Sequence, residues 1–185
     1  MRDLSLHILD LVQNSVKAGA SLVQVRIRDS AGDDAVVIEI ADDGCGMDAD
    51  LLARVTSPFT TTRTTRRVGL GIPMFKANAE GSGGSFSIDS RVGEGTRVKG
   101  VFGRSNIDRP PMGDLQGTML TLVLGTPEYP DYFLLYETDD TSFTFDTREV
   151  RRALDGLPLD LPEVVSWMRD YLREGFEQIS GGATL

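Results

Sequence analysis

From residue 4 the chain sets Leu4, Ile8, Leu11, Val12, Ser15 and Val16 on one side of an α-helical wheel. His7, Asp10, Asn14 and Lys17 share a single narrow arc on the other side, at the helical step of about 100° per residue. The pattern predicts an amphipathic first helix that carries a carboxylate, a carboxamide and an ammonium in a row, with Gly19 as its stop signal. Residues 22–28 then alternate Val23, Val25 and Ile27 against Gln24, Arg26 and Arg28, the period of a half-buried strand. Ala31-Gly32-Asp33-Asp34 reads as a turn, and the denser apolar run over 35–40 as a second, more central strand.

Asp48 is placed to cap a short helix through Val55, ended by Pro58. Residues 56–68, rich in Thr and Arg, show no period and read as a mobile loop. A helix starts over 69–73, where a proline is tolerated in the first turn, and runs to about Ala79. Residues 85–90 and 96–104 read as a hairpin closed by Val92-Gly93-Glu94-Gly95, residues 107–113 as a proline-bearing surface loop, and 117–124 as one more strand. After Thr126 the texture changes to aromatic segments at 132–136 and 143–145, with helices near 147–154 and 162–179. The last helix has a broad apolar face of Val164, Val165, Trp167, Met168, Tyr171, Leu172 and Phe176 that must pack on the main domain or on a partner. The expected organisation is a domain over 1–125 and a small α+β appendage over 126–185, used for packing, for a partner or for self-association as a homodimer.

With 185 residues, the chain has room for one domain and a modest addition. Its net charge of −9 argues against a general nucleic-acid surface. Arg63, Arg66 and Arg67 nonetheless cluster in one polar segment that suits a small anion. The acidic residues Asp3 and Asp10 in a helix-like N-terminus do not resemble a signal peptide, and no apolar run reaches bilayer length. A single cysteine, Cys45, excludes an internal disulfide and a cysteine-based zinc site. A cytoplasmic location without membrane contact is expected.

Two patterns carry chemistry. Asp42 ends a buried strand and is followed by glycines in Asp42-Asp43-Gly44-Cys45-Gly46-Met47. A carboxylate there can accept from an exocyclic amine while the glycines let the backbone pass close to a flat ring; a simple strand-end turn would show the same residues. Gly69-Leu70-Gly71 opens a helix after the arginine-bearing loop, where free N–H groups and the helix dipole can face a phosphate; an ordinary flexible turn has this form too. His7 lies within the first helix and Cys45 between two glycines, and both read as packed side chains.

The order and spacing of four elements resemble the Bergerat-type ATPase superfamily, known also as GHKL, which includes DNA gyrase B, related heat-shock chaperones, sensor histidine kinases and MutL. Asp10-Leu11-Val12-Gln13-Asn14 resembles the N box. The segments from Asp42 to Met47, Gly69-Leu70-Gly71-Ile72 and Gly93-Glu94-Gly95-Thr96 resemble the three glycine boxes. Residues 14–21 and 42–47 look like MutL, and Pro58-Phe59-Thr60-Thr61-Thr62-Arg63 like a histidine-kinase lid. The resemblance implies an α/β two-layer sandwich whose mixed, largely antiparallel sheet is covered on one face by helices, with MgATP between helices and lid. It implies that Asn14 holds Mg²⁺, that Lys17 reaches a phosphate, and that Asp42 and Thr96 read the adenine edge. Gly44, Gly46, Met47, Gly69, Leu70 and Gly71 would shape the nucleotide site, and Thr60, Thr61, Thr62 and Arg63 the lid. The superfamily usually places a glutamate four residues before the asparagine, whereas this chain has Asp10 as its candidate catalytic carboxylate. Losing a methylene withdraws that group by about 1 Å, a displacement that can cost on the order of 10²-fold in rate. The expected function is an ATP-binding regulator of a protein partner, a histidine-kinase-like domain with possible serine kinase activity of the anti-sigma-factor type. A slow ATPase driving a conformational cycle and a non-catalytic interaction module are the alternatives.

Overall fold

The computed structural model describes residues 3–56 and 70–180. Helix α1 (Leu4–Lys17) starts where the Asp3 carboxylate accepts from the Leu6 N–H at 2.9 Å, satisfying one of the donors that a helix start leaves unpaired. Leu4, Ile8, Leu11, Val12 and Ser15 are buried, as the wheel predicts. The opposite arc is divided by its surroundings: His7 is fully buried, Asp10 and Asn14 are half-buried, and Lys17 is exposed.

β1 (Leu22–Ser30) and β2 (Ala35–Asp42) form the first hairpin, with Ile27 opposite Ile38. Asp48 caps α2 (Ala49–Val55) by accepting from the Leu51 N–H at 2.7 Å. α3 (Gly71–Gly81) leads into a second hairpin of β3 (Ser85–Arg91) and β4 (Gly95–Gly103). These elements match the sequence reading to within a few residues.

The reading of 117–124 as a strand is corrected: Leu115–Gly125 is a helix, α4, capped by Asp114, whose carboxylate accepts from the Gly117 N–H at 2.7 Å. It lies between α1 and α6 and buries Leu115, Thr118, Met119, Leu122 and Val123. A helix apolar on most of its sides loses the 3.6-residue contrast, and what remains of the pattern mimics a strand.

β5 (Asp131–Thr138), β6 (Ser142–Asp146), α5 (Thr147–Ala153) and α6 (Pro162–Ile179) complete the chain. β5 runs parallel to β1, with Leu22 opposite Asp131 and Ile27 opposite Tyr136, so residues after 126 continue the same sheet. The strand order is β3-β4-β2-β1-β5-β6, antiparallel at every other junction. α3 packs over β3 and β4, α1 over β1 and β2, and α6 over β5 and β6, all on one face. The core lies between the layers, around Val23, Val25, Ile27, Ile38, Phe75, Phe102 and Leu134. On α6, Val164, Met168, Leu172 and Phe176 are buried, whereas Trp167 and Tyr171 stack on each other at the surface. The fold is the α/β two-layer sandwich expected from the sequence.

Candidate functional site

At one end of the sheet the strand register aligns Ser90, Thr96, Asp42 and Val23 in a row across β3, β4, β2 and β1, on the face that the helices cover. Between that row and helices α1, α2 and α3 lies a cavity of about 310 Å³. Its walls are mostly apolar, from Leu11, Ala18, Ile40, Met47, Leu51, Val55, Ile72 and Val98; Asn14, Ser15, Asp42 and Thr96 supply the polar groups. A mostly apolar cleft with a few convergent polar groups is the general form of a small-molecule site.

Asp42 is held on both oxygens. Ser15 donates its hydroxyl to Oδ2 at 2.6 Å, and the Gly44 N–H donates to Oδ1 at 3.0 Å. A carboxylate so oriented keeps unused lone pairs for a donor in the cavity. Asp43, the next residue, points away and ties the start of β1 instead: it accepts from the Ser21 and Leu22 N–H groups at 2.6 and 2.9 Å and from the Ser21 hydroxyl. Partial burial works against its ionisation, but those hydrogen bonds outweigh it and hold its carboxyl below the usual range.

The glycine turn is stitched to both neighbours: the Cys45 N–H donates to the Ala18 carbonyl at the end of α1, and the Gly93 N–H donates to the Cys45 carbonyl, each at 2.9 Å. Two glycines are required by geometry. Gly46 has φ +64° and Gly95 φ +93°. A Cβ on the first would collide with the Arg91 carbonyl, and on the second with the Asp42 carbonyl. Ser90 joins the pieces by accepting from the Met47 N–H and donating to the Gly95 carbonyl, both at 2.9 Å, with Thr96 Oγ1 at the same distance.

Asn14, Asp42, Gly46, Met47 and Thr96 are thus brought together around one cavity, with Gly44 bonded to its carboxylate. Asp10 packs against the first turn of α3, where a Cβ at Gly71 would run into its carboxylate. Lys17 is exposed in the last turn of α1 and is not among the cavity-lining residues; Leu70 is exposed at the start of α3. Thr60, Thr61, Thr62, Arg63 and Gly69 lie outside the described residues. The sequence reading missed Ser15, legible as the residue after the asparagine, and Ser90, which no local pattern marks.

One turn before Asp10, His7 sits in the core with Nε2 2.6 Å from Asn78 Nδ2 and its ring edge-on to Phe75. Its Nδ1 is buried with no hydrogen-bond partner. Burial lowers its pKa from 6.5 to about 4, because a desolvated imidazole resists protonation.

The fold is an α/β two-layer sandwich with a cavity at one end of its sheet, and the comparisons with known proteins give its family. The family of histidine kinase-, DNA gyrase B-, and HSP90-like ATPases matches residues 2–103, and the chain belongs to it. The sensor kinase CckA of Brucella abortus is 37% identical over 81 residues, covering 43% of this chain and 9% of its own length. The sensor histidine kinase AruS of Pseudomonas aeruginosa is 35% identical over 98 residues, covering 48% of this chain and 10% of its own. The chain therefore spans about a tenth of the length of these relatives. The crystal structure of the N-terminal domain of a DNA repair protein shares the fold, with a TM-score of 0.55 at 13% identity over 78% of this chain and 52% of that one. Among the described residues no helix is long and apolar enough to cross a membrane.

Proposed function

We propose that this chain binds MgATP and uses it to regulate a protein partner. The observation that carries the reading is Asp42, whose carboxylate is locked by Ser15 and Gly44 at the polar edge of an otherwise apolar cavity. Adenine suits that cavity: its flat faces meet the aliphatic walls and its amine donates to Asp42. Asn14, which lines the same cavity from α1, would give its amide oxygen to Mg²⁺. A single amide ligand suits an ion that keeps waters and takes its other ligands from phosphates. Lys17, at the exposed end of α1, would extend to a phosphate, and residues 126–185 would offer the partner or self-association surface.

A thermal melt tests the nucleotide. Ligand at a hundredfold excess over Kd stabilises by about 2.7 kcal/mol, so millimolar MgATP should raise Tm and Asp42→Asn should abolish the rise. An unmoved wild-type melt would refute the reading.

Slow hydrolysis is the second reading, favoured by the Asp10 carboxylate beside the first turn of α3. The shorter side chain holds its carboxylate back from an attacking water, so turnover should be low and Asp10→Glu should raise it, by up to about 10²-fold. Phosphate release measured for both proteins decides this; a fast wild-type rate that Asp10→Ala leaves unchanged would place the water elsewhere.

A further inference from the structure

Ser90 does not line the cavity described above, yet its hydroxyl decides what that cavity offers a ligand. A serine hydroxyl has one proton and two lone pairs. The Met47 N–H uses one lone pair, and the carbonyl oxygen of buried Gly95, which can only accept, uses the proton. The remaining contact, Ser90 Oγ to Thr96 Oγ1 at 2.9 Å, must then run from Thr96 as donor into the last lone pair of Ser90. With its only proton spent, Thr96 Oγ1 presents lone pairs alone to the cavity. Its neighbour across the β2–β4 ladder is Asp42, and a carboxylate is acceptor-only as well.

We propose that Ser90 is a specificity-determining positioning residue: by taking the Thr96 proton it makes the polar edge of the cavity an unbroken pair of acceptors. Such an edge selects a ring that offers two N–H donors from one exocyclic amine, one for Asp42 and one for Thr96. It rejects a ring with a carbonyl at that position, whose lone pairs would face lone pairs. The assignment rests on the reading that the cavity takes the base of a nucleotide.

Calorimetric titration of the full chain with ATP and with inosine triphosphate tests it, since the two differ at that edge and share the same triphosphate. The unaltered chain should prefer ATP. Ser90→Ala returns the proton to Thr96, which can then donate to a carbonyl, so the ATP-to-inosine affinity ratio should fall about tenfold, the worth of one hydrogen bond. Ser90→Thr keeps the hydroxyl and should keep the ratio. A purely structural role for Ser90 would weaken both nucleotides together, and an unmoved ratio overturns the assignment while leaving nucleotide binding intact. Should Ser90→Ala fail to fold, Thr96→Val decides: loss confined to ATP supports the acceptor role, and equal loss of both nucleotides overturns it. If the unaltered chain binds neither nucleotide, the underlying reading falls with it.

Discussion

His7 is a neutral imidazole kept in the core between α1 and α3, and it gives the fold a pH dependence of definite sign. Its folded pKa of about 4 lies below the ordinary 6.5, so between those values the unfolded chain takes up a proton that the folded chain refuses. Stability is therefore fully present above pH 6.5 and falls as the pH drops towards 4, by on the order of 3 kcal/mol. Urea unfolding at pH 7 and pH 4.5 should show this loss in the wild type, and His7→Gln should remove most of it; an equal loss in the variant would assign it to other groups. Asp43 and Asp146, whose hydrogen bonds hold their carboxyls below the usual range, lose their contributions only at more acidic pH. The helical wheel grouped His7 with Asp10, Asn14 and Lys17. It could not tell that α3 covers the first, a cavity meets the third and solvent surrounds the last, because periodicity names a face and not its neighbour. Asp42 was legible because its motif is local. Ser90 was not, because it acts across two strands and its neighbours follow from register.

At the scale of elements, amphipathic and cap-bearing segments could be read and the enclosed one could not. α1 and α6 announce themselves by their apolar faces and α2 by Asp48 at its N-cap; the structure adds Asp146 as the cap of α5 and Pro162 in the first turn of α6. α4 begins at a cap as good as theirs in Asp114, which the sequence reading did not use, and apolar residues on several of its sides hide the helical period. The aromatic run at 132–136 was legible as apolar, and its placement beside β1 was not, since parallel partners are distant in sequence. That placement has a measurable consequence. Ending the chain after Gly125 would strip β5 from β1 and uncover Val23, Val25 and Ile27, together with the α4 surface that faces α6. The truncated chain should lose cooperative unfolding at 25 °C, followed by far-UV circular dichroism. A melt within a few degrees of the full chain would make residues 126–185 dispensable to the fold and leave their surface free for a partner.

For the whole molecule, the family match over residues 2–103 covers the cavity-bearing part of the sandwich, and this is where the sequence was most informative, because glycine turns and a strand-end carboxylate impose short-range rules. Beyond it the chain follows no motif and obeys only packing. β2 is added to β1 within a few residues of it, but the strand on the other side of β1 comes last but one, with Leu22 waiting for Asp131. During synthesis the groups around Asp42 and Thr96 thus emerge well before the sheet they stand on can close. A nascent chain halted before residue 131 presents β1 with one edge unpaired, a template for other chains, and late closure of such non-local pairs slows folding. On the proposed reading, nucleotide arriving early would meet Asp42 and Thr96 on an unfinished floor, so a strand that contributes no residue to the cavity lining would govern when the site becomes competent.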